Sequence, residues 1–241
     1  MSVNINTVYQ TTLSLLNKEQ RGYLTPQQFN LFANQAQLDL FEQYFYDINQ
    51  FGRVPGNSTE YSDMLGILEQ KINSFEVLDF VPGYYGGGLV KANDTYRVGT
   101  VLYNGIECRR VTAKELLQLR RCPLVAPTDT MPVYVEKRNS ATNANTSFGV
   151  LNVFGSGSAE KTSDVLLNYI RKPSAPKWGY NIVFGEALYN YSTSNNFELH
   201  TSEETELVMK ILELASIAIE DIQLYQVTAG EESKNIQQQK A

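Results

Sequence analysis

Apolar positions in residues 4–51 recur at three- and four-residue steps, which is the spacing of helices with one buried stripe. Ile5, Val8, Tyr9, Thr12, Leu15 and Leu16 share one such face and predict a first helix over residues 4–19, broken by "QRGY". The following stretch, "LTPQQFNLFANQAQLDLFEQYFYDINQF", opens with the residues of a helix start. Thr25 is placed to cap, Pro26 to occupy the first helical position, and Gln28 to complete a capping box, with Leu24 and Phe29 flanking the cap as a hydrophobic staple. Phe29, Phe32, Ala33, Ala36, Leu40, Tyr44 and Ile48 then form one stripe on a second helix running to about Asn49. Phe41, Phe45, Tyr46 and Phe51 widen or leave that stripe. They are either buried by two neighbouring elements in one core or partly held for another chain. After the turn cluster "GRVPGNST", Tyr61, Leu65, Leu68 and Ile72 predict a third, shorter helix ending near Ser74.

From Phe75 the period changes. Short β-branched and aromatic runs alternate with Pro-Gly, Gly-Gly, Asn-Asp and Asn-Gly signals, and "LYNGIECRRV" carries the Asn-Gly pair of a tight hairpin. "TAKELLQLRRCPL" predicts one short helix capped by Thr112 and closed before Pro123. "PVYVEKRN", "FGVLNVFG" and "DVLLNYIRKP" predict three further strands, with "SATNANTS" and "SGSAEKTS" as polar, flexible connections.

Helical period returns in "HTSEETELVMKILELASIAIEDIQLYQ". Thr201 and Glu204 are spaced as a second capping box, and Glu203, Glu204 and Glu206 lie at the positive end of the helix dipole. Leu207, Val208, Ile211, Leu214, Ala215, Ala218 and Ile222 make a continuous apolar face. "VTAGEESKNIQQQKA" then lacks aromatics and cannot bury enough to fold alone, so it is either a frayed tail or an arm that orders against a neighbour. The fold class expected is α+β. A helical bundle formed by residues 1–74 and 186–226 surrounds an antiparallel β domain with one short helix at 75–185, followed by an extended arm at 227–241. The second and last helices are expected to meet, because each has an apolar face to cover.

Composition narrows the chemistry. A chain of 241 residues can bury a substantial core without disulfides or metal, and its two cysteines, Cys108 and Cys122, have no CxxC spacing and are expected as reduced thiols. No apolar run approaches a membrane span, and no signal-peptide pattern opens the chain. The net charge of −6, without a strong basic stripe, argues against nucleic-acid binding as the main task; Arg109-Arg110 and Arg120-Arg121 are isolated basic spots. The single histidine, His200, has Ser202 nearby but no placed acid, and "GYYGGG" lacks the Gly-Lys-Ser/Thr end of a phosphate loop. No catalytic residue, metal ligand or cofactor site is therefore assigned. Fifteen tyrosines stand out instead, a residue suited to surfaces that are wet before assembly and dry after it.

The phrases "LNKEQRGYLTPQQFNLFANQAQLDLFEQYF", "PTDTMPVYVEKRN", "LNVFG", "LLNYIRKPSAPKW" and "FELHTSEETELVMKILELASIAIEDIQLYQ" occur in an order covering nearly the whole chain. In this order the chain resembles the head–tail connector (adaptor or ring) proteins of short-tailed bacteriophages, most closely those of crAss-like phages. The resemblance implies a non-catalytic virion protein, assembled in the host cytoplasm and present as a twelve-copy ring in the neck. Its partners would be itself, the portal protein, other ring or tail-tube proteins, and passing DNA without sequence-specific binding. A ring needs two unlike patches on each copy. Phe41, Phe45 and Tyr46 are the expected first patch, and residues 227–241, with Ile236 as apolar anchor, are the expected arm. Two other classes compete: a carbohydrate- or ligand-binding module using Tyr84 and Tyr85, and an enzyme whose carboxylates converge only in the fold.

Overall fold

The computed structural model describes residues 2–17, 24–51, 63–80, 89–90, 94–138, 149–157, 159–219, 226–228, 230 and 234. The chain is α+β and divides into two units, one formed by Met1–Lys71 and Pro173–Ala241, the other by Ile72–Lys172.

In the first unit the helical periodicity folds as helices α1 (Ile5–Asn17), α2 (Pro26–Phe51), α3 (Asp63–Asn73) and α5 (Glu204–Ile219). The α2 start is a formed capping box. The Thr25 backbone N–H donates to Gln28 Oε1 at 3.1 Å and the Gln28 N–H donates to Thr25 Oγ1 at 3.3 Å, with Leu24 and Phe29 buried beside it. Helix α5 packs against both α1 and α2, so Ile5, Val8, Ala33, Leu40, Leu207 and Ile211 are removed from water together. The start of α5 differs from the Thr201–Glu204 box. A 3-10 turn at Thr201–Glu203 precedes it, and the cap is His200, whose side chain accepts from the Ser202 N–H. The imidazole nitrogen takes the acceptor role because it sits two residues before the donor, whereas Thr201 is already inside the turn.

The segment between residues 173 and 199 belongs to this unit. Strands β10 (Tyr180–Val183) and β11 (Glu186–Tyr189) form a separate two-stranded antiparallel hairpin, so the boundary falls after Lys172 rather than after residue 185. Trp178 is the reason: its buried ring lies 4.1 Å from Tyr9 of α1 and 5.7 and 5.8 Å from Tyr180 and Tyr189 of the hairpin. Gly179 is required there, since a Cβ would meet the Thr193 carbonyl carbon at 2.7 Å. Of the arm expected at 227–241, the described positions Val227, Thr228, Gly230 and Lys234 are helical and Thr228 is buried; the rest of it lies outside the described residues.

Among its described residues the second unit shows two sheets and the helix α4 (Ala113–Arg121). Strands β1 (Glu76–Phe80), β9 (Val165–Arg171), β3 (Thr95–Tyr103) and β4 (Ile106–Glu107) make one antiparallel sheet in the order β1-β9-β3-β4. The β3–β4 connection is the Asn-Gly turn, with Asn104 at φ 50° and Gly105 at φ 77°. The second sheet has the order β2-β7-β6-β5, from β2 (Leu89–Val90), β7 (Gly149–Phe154), β6 (Val133–Arg138) and β5 (Arg109–Arg110). The β5–β6 pair is parallel, a departure from the all-antiparallel expectation, because the chain leaves the first sheet at Cys108 and returns to the β6 edge through helix α4 (Ala113–Arg121). "SGSAEKTS" is not wholly loop either, since β8 (Glu160–Lys161) pairs with the end of β7.

Alternation along β6 shows how the layers meet. Tyr134 enters a core shared with Val101, Leu167 and Tyr169 of the first sheet, while Val133 and Val135 face α4 with Val111, Leu116 and Phe154. This sheet is buried on both faces, which is why "VLNVF" is almost continuously apolar. Thr112 and Glu115 form a reciprocal box at the α4 start.

Phe41 is fully buried, Phe45 meets it edge-on at 5.1 Å and is half-buried, and Tyr46 is 62% exposed. Phe41 is therefore a core residue of its own unit and not part of an external patch. Phe41→Ala is expected to lower unfolding free energy by about 3–5 kcal/mol in urea titrations, against under about 1 kcal/mol for Tyr46→Ala.

Candidate functional site

The polar clusters of the described residues serve first to hold elements together. In the first unit, Lys71 Nζ lies 2.5 Å from the buried Glu203 carboxylate and 5.2 Å from the centre of the Tyr44 ring. This joins α3, α2 and the turn before α5. Burial raises the Tyr44 phenol far above its ordinary value, with the Glu203 and Glu206 charges adding to it, and burial followed by Glu203 raises Glu206. A buried ion pair of this kind specifies an arrangement more than it adds stability.

His200 is engaged by its own helix start. Its Nδ1 lies 2.9 Å from Ser202 Oγ and accepts from the Ser202 N–H at 3.2 Å. The Nδ1 facing Ser202 is thus engaged as the cap of its own turn.

In the second unit a cleft of about 430 Å³ opens where the chain passes from one sheet to the other, lined by Gly99, Glu107, Cys108, Arg110 and Tyr134 among others. Burial, followed by the Glu107 charge, pushes the Cys108 thiol up to about 11, which keeps it protonated at neutral pH and weakly nucleophilic. Arg110 is paired with Glu136 at 3.2 Å. Cys108 and Cys122 are both free thiols, the first buried and the second exposed. Among the described residues there is no group of three or more His, Cys, Asp or Glu side chains placed to hold a metal ion. No helix among them is long and apolar enough to cross a membrane.

What the described residues do present is apolar surface. At the tip of the β10–β11 hairpin, Ile182 is 72% exposed and Phe184 is completely exposed, with Leu188 and Tyr191 also open to solvent. Ile182 shares a face with Tyr180, which stacks on Trp178, yet is itself 72% exposed, so this face is covered at the hairpin base and open towards the tip. A second apolar surface lies on the other unit, on the outer side of α4 and the turn after it: Leu117, Leu124, Val125 and Met131. Large apolar side chains left in water in this way suit contact surfaces.

Of the residues singled out from sequence, Tyr46 is exposed, Phe45 is half-buried and Phe41 is internal. Tyr84, Tyr85 and Ile236 lie outside the described residues. The hairpin tip went unnoticed because Phe-Gly is not one of the usual hairpin dipeptides. The only available signal was the run "NIVFGEALY", two short apolar stretches about a glycine. No family model matches the chain, and no curated protein is detectably similar to it in sequence.

One ionic cluster gives a direct pH test. Asp129 accepts from the Ser156 hydroxyl and N–H and lies 3.0 Å from Lys161 Nζ, clamping the turn before β6 to the β7–β8 connection. The Ser156 hydrogen bonds, with Lys161, hold its carboxyl down at about 2. Because the folded value lies below the unfolded one, the clamp's stabilisation is whole above about pH 4 and fades as pH falls towards 2. Asp129→Asn should unfold at lower urea concentration than the parent at pH 6, and the gap should close near pH 2.

Proposed function

We propose that this chain is a non-catalytic virion structural protein that forms a ring in the neck of a short-tailed phage, joining the portal to the tail and continuing the DNA channel. The observation that carries the reading is surface apolarity of two unlike kinds, one on each unit: an exposed hairpin tip and a helix-turn face. A head-to-tail ring needs two different patches on every copy. The ordered resemblance of the sequence to head–tail connectors supports the same reading. The partners proposed are further copies of the chain, twelve to a ring, the portal, other ring or tail-tube proteins, and DNA that passes without being read.

The acidic balance suits a conduit. With a net charge of −6 the chain repels DNA on the whole, which favours passage over retention. The place of action is the virion neck, after assembly in the host cytoplasm.

Native mass measurement tests the proposal. The purified chain, alone or mixed with its portal, should appear as a closed oligomer of the 27.2 kDa subunit. A monomer in both samples at every concentration would overturn the ring reading.

A further inference from the structure

The β10–β11 hairpin breaks a local rule that the same chain obeys elsewhere. Both residues of its turn have positive φ, Phe184 at 52° and Gly185 at 88°, the pairing that the β3–β4 hairpin makes with Asn104 and Gly105. Asparagine tolerates that region because its short side chain bonds locally, whereas a phenylalanine there is strained. The strained ring gains nothing in the monomer, being completely exposed. Strain held at an exposed apolar tip indicates a contact made outside the chain.

Resting on the ring reading above, we propose that the hairpin is the arm by which one copy of this chain holds the next, its Phe184 tip seated on the apolar turn after α4 of the neighbouring copy. The occupant is argued from complementarity. The hairpin is apolar with one charge, the exposed Glu186. The exposed residues of α4 and the segment after it include Leu117, Leu124, Val125 and Met131 together with the bases Lys114 and Arg121 and the acid Glu115, while the Arg120 guanidinium lies over the Phe154 ring of its own unit. An acidic apolar finger thus meets an apolar surface that is basic on balance, and the Arg121 guanidinium can also lie over the Phe184 ring.

Rigidity favours the finger as well. Trp178, Tyr180 and Tyr189 fix its base, so the tip is presented in its bound shape and little ordering is needed on contact. Because the two surfaces are unlike, the contact repeats from copy to copy in one direction, as ring closure requires.

The test is Phe184→Asn, which installs the residue that the β3–β4 turn already uses. Its melting temperature should equal or exceed that of the parent, while the concentration needed for assembly rises about 30-fold or more, the effect of losing an interface anchor. A ring that forms unchanged would overturn the assignment. The second measurement is directional: Ile182→Cys treated with a short bismaleimide should give a ladder of linked subunits through the native, exposed Cys122, and Cys122→Ser should abolish it. A ladder that survives Cys122→Ser, or none from an assembled sample, would overturn the seat on the α4 turn. A parent chain that never assembles, with or without portal, removes the ring reading itself, whereas a parent ring unaffected by Phe184→Asn removes only the hairpin.

Discussion

The first unit depends on the environment of Trp178. Its ring lies between Tyr9 of α1 and the tyrosines of the hairpin, its indole N–H donates to Asn6 Oδ1 at 3.1 Å, and its backbone exchanges hydrogen bonds with the Asn30 side chain of α2. One residue far along the chain therefore ties together two N-terminal helices and the hairpin. A buried indole N–H needs such a partner, and its ring provides the area that makes the contact worth forming. Without that anchorage a two-stranded hairpin would be marginal in water.

In the second unit the controlling feature is the double burial of the β6–β7 sheet. Its two faces serve two cores, one shared with the opposing sheet and one with α4. Helix α4 can cover that face only with Leu116 and Leu119, so Leu117 is turned outward by helical geometry. The apolar exterior of α4 therefore exceeds what its role inside the unit demands.

The parts legible in the sequence were those where local chemistry and burial agree. The Thr25–Gln28 box, the Asn104–Gly105 turn, the Thr112 cap and the meeting of α2 with α5 follow from spacing alone, since each is set by residues close together or by an apolar stripe that must be covered. The misreadings came from choices that distant residues decide. Phe41 lies off the main α2 stripe, but its environment in the folded unit is closed, so side position alone did not distinguish interior from exterior. Similarly, Thr201 has the spacing of a cap, yet His200 caps one residue earlier, its side chain accepting from the Ser202 N–H. The hairpin was invisible because its turn departs from ordinary turn chemistry.

That departure bears on how the proposed contact would work. An Asn-Gly turn would have held the same hairpin without strain, as it does between β3 and β4. Keeping phenylalanine at Phe184 is a standing cost to the monomer of the order of 1–2 kcal/mol, by the usual penalty for a left-handed residue with a bulky side chain. The Trp178 stack fixes the base of the hairpin and so helps to offset such a cost. The hairpin that this stack anchors carries the Phe184 ring fully exposed at its turn. Stability of the first unit and the reach of the arm are thus two consequences of one aromatic cluster, and weakening that cluster would be expected to impair both, whereas changing the tip separates them.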